Sequence, residues 1–148
     1  MARIKESIYI DAPVKKVHEV ADDPTTWSTW YAGLGEAERI EGDKGPGTVV
    51  EQSYLLAGVH LPVTTKVTEN CEDPDGSCHW KSVFEGPLSG WQNWDYEPSN
   101  GGTKVTAEIE YSVPASVLGK VADRLFIERM QERATRQTLQ SLKQLIEA

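Results

Sequence analysis

Few residues of this chain suit metal, redox or nucleophilic chemistry. It has two cysteines, two methionines and three histidines in 148 residues. Cys71 and Cys78 flank Glu-Asp-Pro-Asp-Gly-Ser, a turn sequence. A hairpin there leaves two outcomes open: one disulfide, or two separate thiols, which a reducing compartment favours. A zinc centre needs about four ligands, and no second Cys/His cluster exists, so neither a metal nor another cofactor is expected. No apolar run approaches the ~20 residues of a membrane span. The opening Met-Ala-Arg-Ile-Lys-Glu-Ser has no apolar signal segment. A cytoplasmic protein without membrane insertion is expected. Positive charge is also short, with 15 Lys and Arg against 23 Asp and Glu, net −8. Such a surface repels phosphate backbones and anionic bilayers, which argues against nucleic acid as a partner. Gly42 and Gly45-Pro-Gly47 lack the spacing and the lysine of a phosphate loop. Ser89, within Gly86-Pro-Leu-Ser-Gly90, is not in a nucleophile elbow, and no His–Asp pair accompanies it.

What is present is patterned. The length fits one domain, residues 1–148, with a sizeable core, and 39% hydrophobic with 26% charged residues is ordinary for a globular chain. From Leu118 every fourth residue is uncharged: Ala122, Phe126, Met130, Ala134, Thr138, Leu142 and Ile146. Val121, Leu125, Leu139 and Leu145 widen that stripe. The period predicts a long amphipathic helix over 114–148. An i, i+4 row drifts by about 40° per step, so early and late turns face different parts of the molecule, unless the helix bends near Gly119.

Upstream, Ile4, Ile8 and Ile10 alternate with polar residues as a first strand. Asp11 is placed to cap a short helix carrying Val14, Val17, Val20 and Ala21, with Pro13 in its first turn. Thr25 or Thr26 is placed to cap a second short helix through Trp27, Trp30 and Tyr31. Strands then follow over 38–41, 48–58, 63–70 (after a turn over 58–62), 79–85, 91–97 and 103–113, separated by Gly/Pro/Asp/Asn turns. Strand, two short helices, six strands and a long helix make an α+β arrangement with an antiparallel sheet.

The run Ile8-Tyr-Ile-Asp-Ala-Pro-Val-Lys-Lys-Val17, then Asp22-Asp-Pro with Trp27 and Trp30, resembles a family opening. So do Glu85-Gly-Pro-Leu-Ser-Gly-Trp91, and Tyr96-Glu-Pro followed by Gly102-Thr-Lys-Val105. They resemble the SRPBCC (START-like) superfamily, nearest its polyketide cyclase/dehydrase and lipid-transport group, over nearly the whole chain. The resemblance implies a helix-grip fold: a seven-stranded curved antiparallel sheet wrapped around the long C-terminal helix, with a cavity between. Family members include lipid carriers, hormone receptors and aromatase/cyclases. His18 departs from the pattern, standing where the family often has a large aromatic residue, and is expected at the rim or surface.

Strand alternation sorts the side chains independently. Val50, Gln52, Tyr54 and Leu56 share one face because Glu51 marks the other. By the same logic Val63, Thr65 and Val67 face inward, as do Trp80, Ser82 and Phe84, then Gln92, Trp94 and Tyr96, then Val105, Ala107, Ile109, Tyr111 and Val113. The inward set is apolar and aromatic, and most strand carboxylates point out. Glu6 is the exception, sharing parity with Ile4, Ile8 and Ile10.

Five Trp and five Tyr against two Phe suit a site that grips an apolar ligand and orients it by a few hydrogen bonds. The favoured expectation is binding or transport of a hydrophobic or aromatic small molecule, lipid- or polyketide-like, by a monomer or weak homodimer. Trp30, Tyr54, His60, Trp80, Phe84, Trp94, Tyr111, Leu125, Phe126 and Met130 are the expected lining, with Trp30, Tyr31 and the His60 turn framing the entrance. The alternative is an aromatase/cyclase- or dehydratase-like enzyme in the same cavity, with Tyr54, His60, Tyr111 and Glu6 as its polar groups. A third expectation makes an exposed Trp91 the anchor for a protein partner.

Overall fold

The computed structural model describes residues 2–118 and 124–148. Strand β1 spans Ala2–Ile10, followed by helices α1 (Val14–Ala21) and α2 (Trp27–Trp30). Six strands come next: β2 (Arg39–Glu41), β3 (Val49–Leu56), β4 (Val59–Glu72), β5 (Cys78–Glu85), β6 (Ser89–Ser99) and β7 (Gly102–Ser112). The chain ends in α3 (Ala115–Leu118) and α4 (Arg124–Glu147). The stripe positions Val121 and Ala122, and the bend expected at Gly119, lie outside the described residues.

The strands form one sheet in the order β1-β7-β6-β5-β4-β3-β2, every pair antiparallel. From β2 to β7 the chain meanders through consecutive hairpins. β1 closes the far edge, with Ile4 opposite Ile109 and Ile8 opposite Val105. Alternation places side chains as the pattern predicts: Val50, Gln52, Tyr54 and Leu56 are buried, as are Trp80, Ser82, Phe84, Trp94 and Tyr96. Helix α4 crosses this face in contact with β1, α1 and α2.

Local sequence explains the punctuation, with several corrections. The β3–β4 turn is Ala57-Gly58, both at positive φ (50° and 82°), a two-residue hairpin turn whose twist matches the strands. It is tighter than the expected turn over 58–62. His60 therefore lies inside β4, paired with Leu55 and exposed on the outer face. At Gly90, opposite Tyr111, a Cβ would overlap the Glu110 carbonyl oxygen, so a side chain there would force β6 and β7 apart. Neither short helix has a side-chain cap: Pro13 and Thr26 occupy the capping positions. The Asp11 amide instead donates to Glu147 Oε2 at 2.8 Å, which fastens the end of α4 to the start of the fold. Both cysteines are free thiols. Cys71 pairs with His79 and Cys78 with Glu72, an offset of one residue that turns their side chains to opposite faces. His18 is half-buried rather than at the rim, its Nε2 2.6 Å from Asn70 Oδ1 and its ring edge-on to Tyr96.

Along α4 the buried residues are Ile127, Thr135, Thr138, Leu139, Leu142 and Ile146. From Thr138 onward this is the predicted stripe. Earlier the fully buried positions fall one residue later, at Ile127 and Thr135 rather than Phe126 and Ala134, although Ala134 still lines the inner side.

Candidate functional site

A hollow lies between the inner face of the sheet and helices α1, α2 and α4. Counting all space outside atoms, including the open solvent at its mouth, it measures about 870 Å³. The space open to the centre of a water-sized sphere is about 70 Å³.

Its walls are aromatic. Trp30 meets Trp94 edge to face, centroids 5.8 Å apart and planes at 74°. Trp27 meets Trp80 at 5.7 Å and 81°, and Tyr31 meets Tyr54 at 6.5 Å and 78°. Edge-to-face pairs are the arrangement the ring quadrupole prefers, and they brace α2 against the sheet. Ile4, Val63, Phe84, Leu88 and Ile109 add aliphatic and further aromatic surface. Among the described residues no charged side chain lines the hollow.

Two polar networks cross it. Trp94 Nε1 donates to Gln92 Oε1 at 2.8 Å, and Gln92 Nε2 donates to Tyr31 Oη at 3.1 Å. On the helix side, Gln131 Nε2 donates to Tyr54 Oη at 3.0 Å. Thr138 Oγ1 accepts the Ala32 amide at 3.0 Å while donating to the Ala134 carbonyl at 2.8 Å, which ties the segment after α2 to α4. Burial pushes the phenols up. Tyr111 rises to about 12, through desolvation first and then the fields of Glu128, Tyr54 and Glu132. Tyr31 and Tyr54 rise for the same leading reason, partly offset by their amide partners Gln92 and Gln131. All three are neutral hydroxyls near pH 7.

Of the residues expected at the site, Trp30, Tyr54, Trp80, Phe84, Trp94 and Tyr111 line the hollow; His60, Glu6, Leu125, Phe126 and Met130 do not. His60 points outward because it alternates with inward Leu61. Glu6 Oε1 accepts from Arg136 Nη1 at 2.9 Å, so α4 supplies a cation at the sheet edge that satisfies the one inward-parity carboxylate outside the cavity. Leu125 and Phe126 are 50% and 53% exposed, and Met130 is half-buried, because the inward line of the first turns passes through Ile127. Trp91 is half-buried rather than a bare anchor: its Nε1 donates to Glu110 Oε2 at 2.7 Å and Arg3 sits over its ring at 5.3 Å.

Gln131 and Thr135 line the hollow without having been expected there. Gln131 is polar, stands between Met130 and Glu132, and reads as surface. For Thr135 the signal was its place three residues before Thr138.

A model of the family described as polyketide cyclase / dehydrase and lipid transport matches residues 1–147. A comparison with curated proteins found no match. Among solved structures, a protein of Thermus thermophilus is similar at TM-score 0.78 and 17% identity, over 98% of this chain and 97% of that one. A START superfamily protein from Mycobacterium smegmatis is similar at 0.74 and 10%, over 98% and 97%. The Zhui aromatase/cyclase from a Streptomyces species is similar at 0.73 and 15%, over 99% and 93%. At these identities the likeness is one of fold: the START-like helix grip. With its sheet order, its crossing helix and a family match over residues 1–147, this chain belongs to the polyketide cyclase/dehydrase and lipid-transport family.

Proposed function

We propose that the protein binds and carries an apolar or aromatic small molecule in the hollow beneath α4, without covalent chemistry. The observation that carries this reading is the wall itself: rings and aliphatic side chains, with neutral amides and hydroxyls and no charged group among the described lining residues. Apolar surface entering such a space leaves water, which contributes about 25 cal/mol per Å². The amide–phenol networks provide a few fixed polar points for orientation.

Nothing in the site favours the cyclase reading. General acid–base catalysis works best with a group titrating near the operating pH. The lining phenols move away from it, while His60 and Glu6 stand outside. Among the described residues no helix is long and apolar enough to cross a membrane.

Intrinsic tryptophan fluorescence tests the reading, because Trp27, Trp30, Trp80 and Trp94 all line the hollow. A panel of neutral aromatic and fatty ligands is expected to give saturable quenching or a blue shift with one site per chain. The absence of any saturable change across the panel contradicts it.

A further inference from the structure

The hollow holds two Gln–Tyr pairs, and they are committed to different degrees. On the sheet, Gln92 Oε1 accepts from Trp94 Nε1 at 2.8 Å. An indole N–H only donates, so it fixes which way the Gln92 carboxamide faces. The amide nitrogen is turned to Tyr31 Oη, to which it donates at 3.1 Å. Oxygen and nitrogen of this amide are both engaged. No such donor fixes Gln131. Its Nε2 lies 3.0 Å from Tyr54 Oη and its Oε1 3.4 Å from the same atom, so the phenol meets the carboxamide side-on. Among the described residues, Tyr54 is the one hydrogen-bond partner of the Gln131 side chain.

Counting donors and acceptors shows what this pair has left. A carboxamide carries two N–H donors and a carbonyl, and a phenol carries one O–H. The bond at 3.0 Å spends one N–H on the phenol oxygen. The phenol hydrogen and the amide carbonyl then have only each other, at 3.4 Å, near the long limit of a useful bond. These two groups stand side by side, one a donor and one an acceptor. Gln131 comes from α4 and Tyr54 from β3, and both line the hollow, so their bond spans it from the roof helix to the sheet. Tyr31 lies beside them, its ring 6.5 Å from that of Tyr54. Trp27, Trp80 and Phe84 supply apolar wall for the rest of a ligand.

Resting on the carrier reading above, we propose that Gln131, with Tyr54, selects the ligand, and that the ligand is a neutral alcohol or phenol on an apolar body. The Tyr54 O–H donates to the ligand oxygen, and the ligand O–H donates to Gln131 Oε1. The existing Gln131–Tyr54 bond stays and closes the ring, so the long contact is exchanged for two bonds. A ketone or ether accepts from Tyr54 but leaves the carbonyl without a donor. A carboxylate has the same defect and adds a charge that no described lining residue neutralises.

The test compares trans-4-hydroxystilbene, trans-4-methoxystilbene and trans-4-methylstilbene, with Kd measured by equilibrium dialysis at pH 7. On apolarity alone the methyl compound binds tighter than the hydroxy compound. The proposal reverses that order: the hydroxy compound is expected to bind wild type about tenfold tighter than the methyl compound, with the methoxy compound between, since it accepts without donating. In Gln131→Met, similar in length but lacking the amide, the hydroxy preference is expected to disappear. Tyr54→Phe, which removes the phenol hydrogen, is expected to do the same. A residue that merely packs would shift all three affinities together and leave their ratio. Methyl binding as tight as hydroxy binding in wild type overturns the proposal, as does a methoxy compound that matches the hydroxy one, or a preference retained in the folded variants. If no stilbene binds while the neutral dye Nile red still enters, the alcohol assignment is wrong and the carrier reading stands. If Nile red also fails, the carrier reading falls with it.

Discussion

The two ends of α4 solve different problems. Its C-terminal half buries Thr138, Leu139, Leu142 and Ile146 against the sheet and α1, the three apolar ones in one cluster with Ile10, Val17, Val50 and Val105. Its first turns bury Ile127 alone among their apolar residues, while Leu125 and Phe126 stay exposed. Between them, Gln131, Ala134 and Thr135 line the hollow, which Thr138 also borders from the packed side. One end is a packed anchor; the middle is a roof made of small and amide side chains. A helix that filled its whole length with leucine would close the hollow. The difference shows that this helix gives up packing in its middle turns for room.

Predictions that break or sharpen this contrast begin with Leu142. It is fully buried, so Leu142→Ala is expected to cost about 2–5 kcal/mol in urea unfolding, while Phe126→Ala changes stability by about 0.5 kcal/mol or less. Equal losses would erase the distinction between the ends.

Alkaline titration gives the next largest effect. The Tyr111 phenol stands at about 12 in the folded chain against an ordinary 10.0. The unfolded chain therefore releases its proton first. The linked stability is complete below pH 10 and is lost as pH rises from 10 through about 12. Tyr111→Phe removes that portion, on the order of 1–2 kcal/mol at pH 12. A wild-type denaturation midpoint no more alkali-sensitive than the variant's would contradict it.

On the roof, Tyr54→Phe removes the acceptor of Gln131 Nε2. The expected loss is about 1 kcal/mol, with an altered ligand affinity, because both residues line the hollow. The smallest effects belong to groups outside it. Glu6→Gln breaks an ion pair with a half-exposed arginine and is expected to cost less than about 1 kcal/mol. His60→Ala should fall within about 0.5 kcal/mol. Neither is expected to move Kd for an apolar dye, and a tenfold change from either would return it to the site.

How much of this the sequence shows follows the same division. Strand alternation has period two whatever the tertiary context, so Tyr54, Trp80, Phe84, Trp94 and Tyr111 could be assigned inward without coordinates. The packed half of α4 was equally legible, since Leu142 and Ile146 need a core. Its first turns were not. Phe126, Met130 and Ile127 lie within little more than one turn of each other, and hydrophobicity alone does not say which line faces in. There the choice depends on the sheet's curvature, a property of all seven strands together. His60 was misplaced for a local reason: a two-residue turn at Ala57-Gly58 and a longer one differ by whether Ala57 accepts positive φ, which its Cβ disfavours.

The most direct test places bulk in the roof. Ala134 is half-buried and faces the hollow, so Ala134→Trp should fill the space while leaving the Leu142 anchor untouched. Titrated with Nile red, the folded variant is expected to bind at least tenfold more weakly than wild type. Undiminished dye binding by a variant with unchanged circular dichroism would mean that the hollow beneath α4 is not where apolar molecules are held.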